Sequence, residues 1–159
     1  MEHPVDPLLF DDARFVPNYL TRIANGLVWA QSRLCLEALG LGLNEARALT
    51  TIGSQPSCTA GELAESLDMN RAIVSLSLRR LIQLDLVSET RGARRRVYTI
   101  TPEGAALRRQ VVELALRRET RLMRGFTSDE QIILLGYLAR LADNLPHAQA
   151  LTMLNAEHD

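Results

Sequence analysis

Four arginines fall within six residues, Arg91-Gly92-Ala93-Arg94-Arg95-Arg96, between two short runs of β-forming residues. Arginine carries a planar fork of donors that can place two parallel hydrogen bonds on phosphate or guanine. An arginine cluster at a Gly-containing turn between strands makes a hairpin tip of concentrated positive charge. Such a tip is ill suited to a hydrophobic core and well suited to a groove walled by phosphates. Immediately upstream, a helical segment begins at Asn70-Arg71 and ends near Leu84. A helix followed by a cationic hairpin makes DNA binding the leading expectation.

The net charge of the 159-residue chain is -1, which by itself says nothing about nucleic acid. Its distribution says more. Residues 1–70 hold four arginines and nine acids, residues 71–124 thirteen arginines and five acids, and residues 125–159 one arginine and five acids. One surface is therefore expected to be cationic on an otherwise acidic chain. For residues 108–124 a solvated basic helix surface accounts for the charge. All eighteen basic residues are arginine, which suits phosphate and guanine but also follows from G·C-rich coding. With 47% hydrophobic residues and no apolar run of spanning length, the expectation is a soluble, cytoplasmic chain with a real core. Two cysteines, Cys35 and Cys58, make no disulfide framework.

The elements that must position the arginines can be read from periodicity and punctuation. Residues 1–12 are rich in Pro and Asp, show no clear period and read as an irregular arm. From Pro17 to Leu39, Leu20, Ile23, Leu27, Ala30, Leu34 and Ala38 recur at helical spacing, and Gly40 and Gly42 end the run. Asn44 is expected to cap a second helix from Glu45 to about Ile52. Thr59-Ala60-Gly61-Glu62 is a capping box opening a short helix through Leu67. After the tight connection Asp68-Met69-Asn70 comes a longer helix whose buried side is expected to hold Ile73, Val74, Leu78, Leu81 and Ile82. Two helices so joined, the second longer, have the form of a helix-turn-helix. Leu86–Thr90 and Arg96–Ile100 are the strand candidates. Thr101-Pro102-Glu103 starts a helix to about Arg124, with a Thr cap and Pro at the first helical position. Thr127 to Glu130 is a second capping box, opening a last helix expected to end at about Leu145, before Pro146. The terminal helices carry more apolar surface than one chain can readily hide, including Ile132, Ile133, Leu135, Leu138 and Leu141. Burial in a two-fold partner is the economical solution.

The chain resembles the MarR family of bacterial winged helix-turn-helix regulators over about residues 16–145. The carriers are Thr59-Ala60-Gly61-Glu62-Leu63-Ala64, the helix from Asn70 to Leu81 with Arg80-Leu81, then Leu86-Val87, and Ile100-Thr101-Pro102-Glu103-Gly104. The last is similar to the family's Leu-Thr-x-x-Gly after the second wing strand. Two departures stand out. The family's wing commonly carries Asp-x-Arg, where the Asp orients the arginine; here Gly92 stands at the Asp position and Arg94 keeps the Arg. The family also favours Gly just before Leu86-Val87, where this chain has Asp85.

The resemblance implies a role for each candidate residue. The helix from Asn70 would lie in the major groove and present Asn70, Arg71, Ser75 and Leu76 to base edges. Arg71 suits guanine, Leu76 a thymine methyl, and Asn70 either adenine or a helix cap. Arg79 and Arg80 suit phosphate or a bracing salt bridge. Arg94 would insert into a minor groove, with Arg91, Arg95 and Arg96 near the backbone. Thr59 serves as a cap, with phosphate as the alternative partner. The family's effector cleft, between dimer helices and winged module, takes small aromatic acids in many members. Tyr19 and Trp29 would lie there, with Arg14, Arg22 or Arg47 to pair with a carboxylate; dimer-core packing is the competing role for Trp29. Cys58, just before a helix N-terminus, is the candidate for a lowered pKa and oxidant sensing, and Cys35 for a small buried residue.

The expected fold is mainly α with a small β-hairpin wing: a winged helix-turn-helix plus N- and C-terminal dimerisation helices. Residues 1–15 would be the arm, 16–40 and 105–159 the dimerisation helices, and 41–104 the DNA-binding module. The expected function is a homodimeric transcriptional regulator, a repressor released from a pseudo-palindromic operator by a small aromatic or phenolic acid. The alternatives are an oxidant sensor of the same fold through Cys58 or Cys35, and a winged-helix protein-interaction module without DNA binding. No enzyme activity, metal or cofactor is expected: His3, His147 and His158 show no ligand spacing with the cysteines, and neither a phosphate loop nor a nucleophile elbow is present.

Overall fold

The computed structural model describes residue 11, residues 14–92 and residues 95–154, with side chains described through residue 150. Eight elements follow one another: α1 (Val16–Leu39), α2 (Leu43–Ile52), α3 (Ala60–Leu67), α4 (Arg71–Gln83), β1 (Val87–Arg91), β2 (Arg96–Ile100), α5 (Pro102–Leu122) and α6 (Ser128–Leu154). This is the expected winged helix-turn-helix order with flanking helices. No helix among the described residues is long and apolar enough to cross a membrane. The chain divides into two compact units, residues 1–114 and residues 115–159.

In the first unit, α4 packs on α2 and α3. Leu49 and Ile52 of α2, Leu63 of α3 and Val74, Leu78 and Leu81 of α4 are almost wholly buried. Each such side chain stabilises the fold by roughly 1.5–3 kcal/mol through burial. Ser77 replaces a large residue on the buried arc of α4. The expectation that Ile73 lies on that arc is corrected: it is 40% exposed. The arc runs through Val74, Ser77, Leu78 and Leu81, and helical geometry leaves Ile73 on its flank.

The ends of the helices follow local chemistry. Thr59 and Glu62 close the expected capping box on α3. On α4 the Asn70 side chain accepts a hydrogen bond from the Ala72 amide at 2.8 Å, so the helix proper starts at Arg71. Asn44 does not cap α2. That helix begins at Leu43 with Gly42 as its N-cap, without a side-chain cap bond, because the extended backbone of Gly42 already makes the turn into the helix.

The wing hairpin pairs Val87 with Ile100, Glu89 with Tyr98 and Arg91 with Arg96. Those six residues share one face, which grades from the core at Val87 to exposed arginines at the tip. β2 also gains a partner on its other edge. Cys58 and Tyr98 exchange backbone hydrogen bonds, with the Cys58 amide donating at 3.1 Å and the Tyr98 amide at 2.8 Å. Residues 93 and 94 lie outside the described residues.

Two backbone features explain motif residues. Asp85 has φ +55°, a left-handed conformation that favours glycine and tolerates Asp. A Cβ at Gly104 would collide with the carbonyl oxygen of Leu86. Thr101 fixes that junction: its amide donates to Leu86 O at 3.2 Å, its hydroxyl donates to Asp85 O at 2.7 Å and accepts from the Gly104 amide at 3.0 Å.

In the second unit, Thr127 and Glu130 close the second capping box. The end of α6 differs from expectation. Pro146 lies inside the helix, which continues to Leu154. Proline's fixed φ is compatible with a helix, and what it removes is one bond to the carbonyl of Ala142, an exposed residue that water can serve.

Candidate nucleic-acid interface

The opening of α3, the first turns of α4 and the near face of β2 enclose a concave surface of about 510 Å³. Thr59, Gly61, Arg71, Ser75, Arg95, Arg96 and Tyr98 line it. A neighbouring concavity shares Thr59, Gly61, Arg71 and Arg95 and extends to Glu62 and Met69. Three of the predicted arginines therefore converge on one surface from two elements far apart in sequence.

The chain builds this surface by simple means. The Cys58–Tyr98 bridge holds β2 against the start of α3. Tyr98 is 7% exposed; burial first, then the Glu89 carboxylate opposite it, pushes its phenol above the ordinary value. The Thr59 hydroxyl accepts from the Glu62 amide at 3.3 Å and donates to the Glu62 carboxylate at 3.0 Å. Its expected role as a cap is thus realised. The Glu62 carboxyl is held below the usual range by the Thr59 amide first, then by the hydroxyl, and in smaller measure by Arg95.

On the wing, Glu89 forms an ion pair with Arg96 at 3.1 Å. Arg91 stands directly opposite Arg96, and this like-charge pair concentrates positive field at the hairpin end. Gly92 has its own reason: its amide donates to Arg95 O at 2.9 Å, and a Cβ there would sit only 3.0 Å from that oxygen. Arg94, the predicted minor-groove residue, lies outside the described residues.

On α4, Arg71, Ser75, Leu76, Arg79 and Arg80 are all exposed. Ser75 donates its hydroxyl to Arg71 O at 2.8 Å, and the Asn70 oxygen is engaged in capping. The readings that remained open for Asn70 thereby narrow toward the cap.

The predicted effector residues have other neighbours. The guanidinium of Arg22 lies 5.4 Å from the Tyr19 ring centroid, within cation–π range. Trp29 is 79% exposed and lies seven residues beyond Arg22, on the same face of α1. Arg14 pairs with Asp11 at 3.5 Å. Arg47 donates to Leu67 O at 2.9 Å, closing the end of α3. None of these five residues lines either concavity described above.

The lowered pKa expected for Cys58 is corrected. Its side chain is buried, and desolvation first, then the Glu62 carboxylate, raises its thiol above the ordinary value of 9.0. Its backbone is spent on the bridge to β2, which draws the side chain into the core. Sequence reasoning missed Glu89 and Tyr98; alternation on β1 and β2 places both on the face of Arg96 and was the signal available.

Comparison with known proteins agrees with this architecture. A family model described as "Sugar-specific transcriptional regulator TrmB" matches residues 36–103, the winged-helix portion and less than half of the chain. No curated protein sequence matches. Among solved structures, the chain is similar to a MarR/EmrR family transcriptional regulator from Acinetobacter sp. ADP1, with a TM-score of 0.78 and 20% identity, covering 87% of this chain and 99% of that one. A MepR–DNA complex from S. aureus gives a TM-score of 0.75 at 17% identity, covering 85% and 99%. Bordetella bronchiseptica BpsR, whose DNA binding is described as regulated by 6-hydroxynicotinic acid, gives 0.74 at 19% identity, covering 83% and 97%. The fold of this chain is the winged-helix fold of MarR-family transcriptional regulators.

Proposed function

We propose that this chain is a DNA-binding transcriptional regulator, working as a homodimeric repressor in the cytoplasm. The observation that carries the reading is the convergence of Arg71, Arg95 and Arg96 beside the opening of α3, on one surface of about 510 Å³. Phosphates are the natural occupants of a surface with three guanidinium groups and helix-opening amides. Residues 41–104 serve as the DNA-binding module, and Arg94 is assigned the minor-groove contact of the wing tip. A pure protein-interaction module would have no use for such a cationic surface.

Pairing through residues 16–40 and 105–159 is supported by apolar side chains exposed within each unit. Trp29 and Leu36 are 79% and 63% exposed in the first unit, and Ile132 and Leu135 are 68% and 65% exposed in the second. A two-fold partner would cover such surface and set two recognition helices about one helical turn, ~34 Å, apart on DNA. Release by a small aromatic acid is the proposed control, in line with the description of BpsR, with Tyr19, Arg22 and Trp29 as its contacts.

The test is a fluorescence-anisotropy titration of a duplex from the promoter region beside the protein's own gene, against random duplex, over a range of salt. Binding should favour the promoter duplex. Arg95→Ala and Arg96→Ala should each reduce the salt slope by about one. Equal, weak binding of both duplexes would sink the proposal. Sedimentation in the same buffers checks the dimer, and adding 6-hydroxynicotinic acid as a probe checks release.

A further inference from the structure

We infer that the recognition helix reads thymine chiefly through its 5-methyl group, using an apolar strip of Ala72, Ile73 and Leu76. This inference rests on the DNA-binding reading above and deepens it. Three observations on α4 lead to it.

First, the polar side chains at the start of the helix are committed to the helix itself. The Asn70 oxygen accepts from the Ala72 amide at 2.8 Å. A bidentate bond to adenine needs that oxygen as well as the amide nitrogen; the cap bond takes one of the oxygen's two lone pairs and fixes the side chain's orientation, so the pose that reads adenine competes with the cap. The Ser75 hydroxyl donates to Arg71 O at 2.8 Å, which leaves it only its acceptor lone pairs.

Second, the outward face is apolar where a reader is usually polar. Ile73 is 40% and Leu76 59% exposed, and Ala72 is exposed. Counting about 100° per residue, Leu76 points away from the arc of Val74, Ser77, Leu78 and Leu81 that is buried in the core. Ala72 and Ile73 lie one turn earlier, on either side of it. Ala72, Ile73 and Leu76 all lie outside the buried core cluster.

Third, the strip is bordered by Arg71 on one turn and by Arg79 and Arg80 on the next, all exposed. Arg79 and Arg80 suit a phosphate wall beside an apolar floor, which is the character of a major groove at thymine. Thymine differs from the other bases there by its methyl group. Arg71 remains as the polar reader, suited to guanine. The operator half-site should therefore combine thymines with a guanine.

The experiment selects duplexes from a pool with a randomised central stretch, using the full-length protein. One pool is amplified with dTTP and one with dUTP, which removes every thymine methyl and leaves pairing intact. The dTTP pool should yield a consensus with preferred thymines, and the dUTP pool should lose that preference. Replacing single preferred thymines by uracil in the selected duplex should weaken binding about fourfold per contacted methyl, the effect of one buried CH₂ group. Replacing a T·A pair by 5-methylcytosine·G should restore part of the loss. Leu76→Ala, at an exposed position, should fold normally and show a smaller difference between the thymine and uracil duplexes than the parent, because Ala72 and Ile73 still present apolar surface. If selected duplexes bind specifically but are indifferent to uracil at every position, the methyl reading is overturned while DNA binding stands. If neither pool yields specific binding, the DNA-binding reading falls and the methyl reading falls with it.

Discussion

Glu89 holds Arg96 across the hairpin at 3.1 Å, and Arg91 faces the same guanidinium from the paired position. The arginine that lines the concave surface is thus balanced between an attractive and a repulsive neighbour. Glu89→Gln removes the one negative charge of this trio. The Arg96 side chain is 68% exposed and that of Glu89 30%, so the pair is well screened only on its arginine side, and stability should fall by about 1 kcal/mol, a Tm shift of about 3 °C. Binding to random duplex at low salt should tighten by roughly fivefold. Anisotropy titrations of both proteins check this. Weakened binding would show instead that the pair is needed to hold Arg96 in place.

Gly104 lies where α5 meets the Leu86 carbonyl, and an added methyl would strike backbone rather than a movable side chain. Gly104→Ala should destabilise the protein by roughly 1–3 kcal/mol. Urea unfolding of both proteins, compared at their midpoints, measures it. An unchanged midpoint would mean that α5 can shift away at little cost.

Asp85 adopts φ +55° just before the first wing strand. Asp85→Gly should be neutral or stabilising by up to ~1 kcal/mol, whereas Asp85→Val should be destabilising by about 1–3 kcal/mol. The order of the three midpoints is the readout. Val and Asp behaving alike would contradict the left-handed conformation.

Cys58 is buried and its thiol titrates above the ordinary 9.0. At neutral pH the native thiol should react with iodoacetamide far more slowly than in the denatured chain, and mild peroxide should leave DNA binding unchanged. Rapid native labelling of Cys58, identified by mass spectrometry, would restore the oxidant-sensing reading.

Stability should also depend on pH at both ends. Cys58 and Tyr98 titrate higher when folded, so the folded state binds their protons more tightly. Their contribution is complete below the ordinary values and is lost as pH rises through the raised ones. Glu62 and Glu130 titrate lower when folded, so theirs is complete above the ordinary carboxyl range and is lost as pH falls. Thermal unfolding from pH 3 to 11 should show both declines. A Tyr98→Phe variant should show a smaller alkaline decline than the parent.

Much of this was legible in the sequence because it is local. Thr59 and Glu62 are three residues apart, as are Thr127 and Glu130, and a capping box needs nothing beyond its own turn. Thr101-Pro102 likewise announces the start of α5. What escaped reading depended on distant partners. Cys58 looked like a reactive helix-start thiol until Tyr98, forty residues away, was found to pair with its backbone. Ile73 looked like core because its helix is amphipathic, but where the buried arc falls is decided by α2 and α3. Pro146 looked like a stop because its ring removes a backbone bond and crowds the preceding turn, yet its fixed φ fits α6 and the carbonyl it frees belongs to the exposed Ala142. Arg47 looked like a carboxylate partner, while its hydrogen bond to Leu67 depends on how α2 meets α3.

The Cys58–Tyr98 bridge makes the base of the hairpin and the threshold of α3 one mechanical part. β2 is paired along one edge with β1 and pinned at Tyr98 on the other, so the base of the hairpin cannot tilt without turning the first residues of α3 with it. On the function proposed above, the angle at which the hairpin meets a duplex is therefore inherited from the helix-turn-helix rather than set by the hairpin itself.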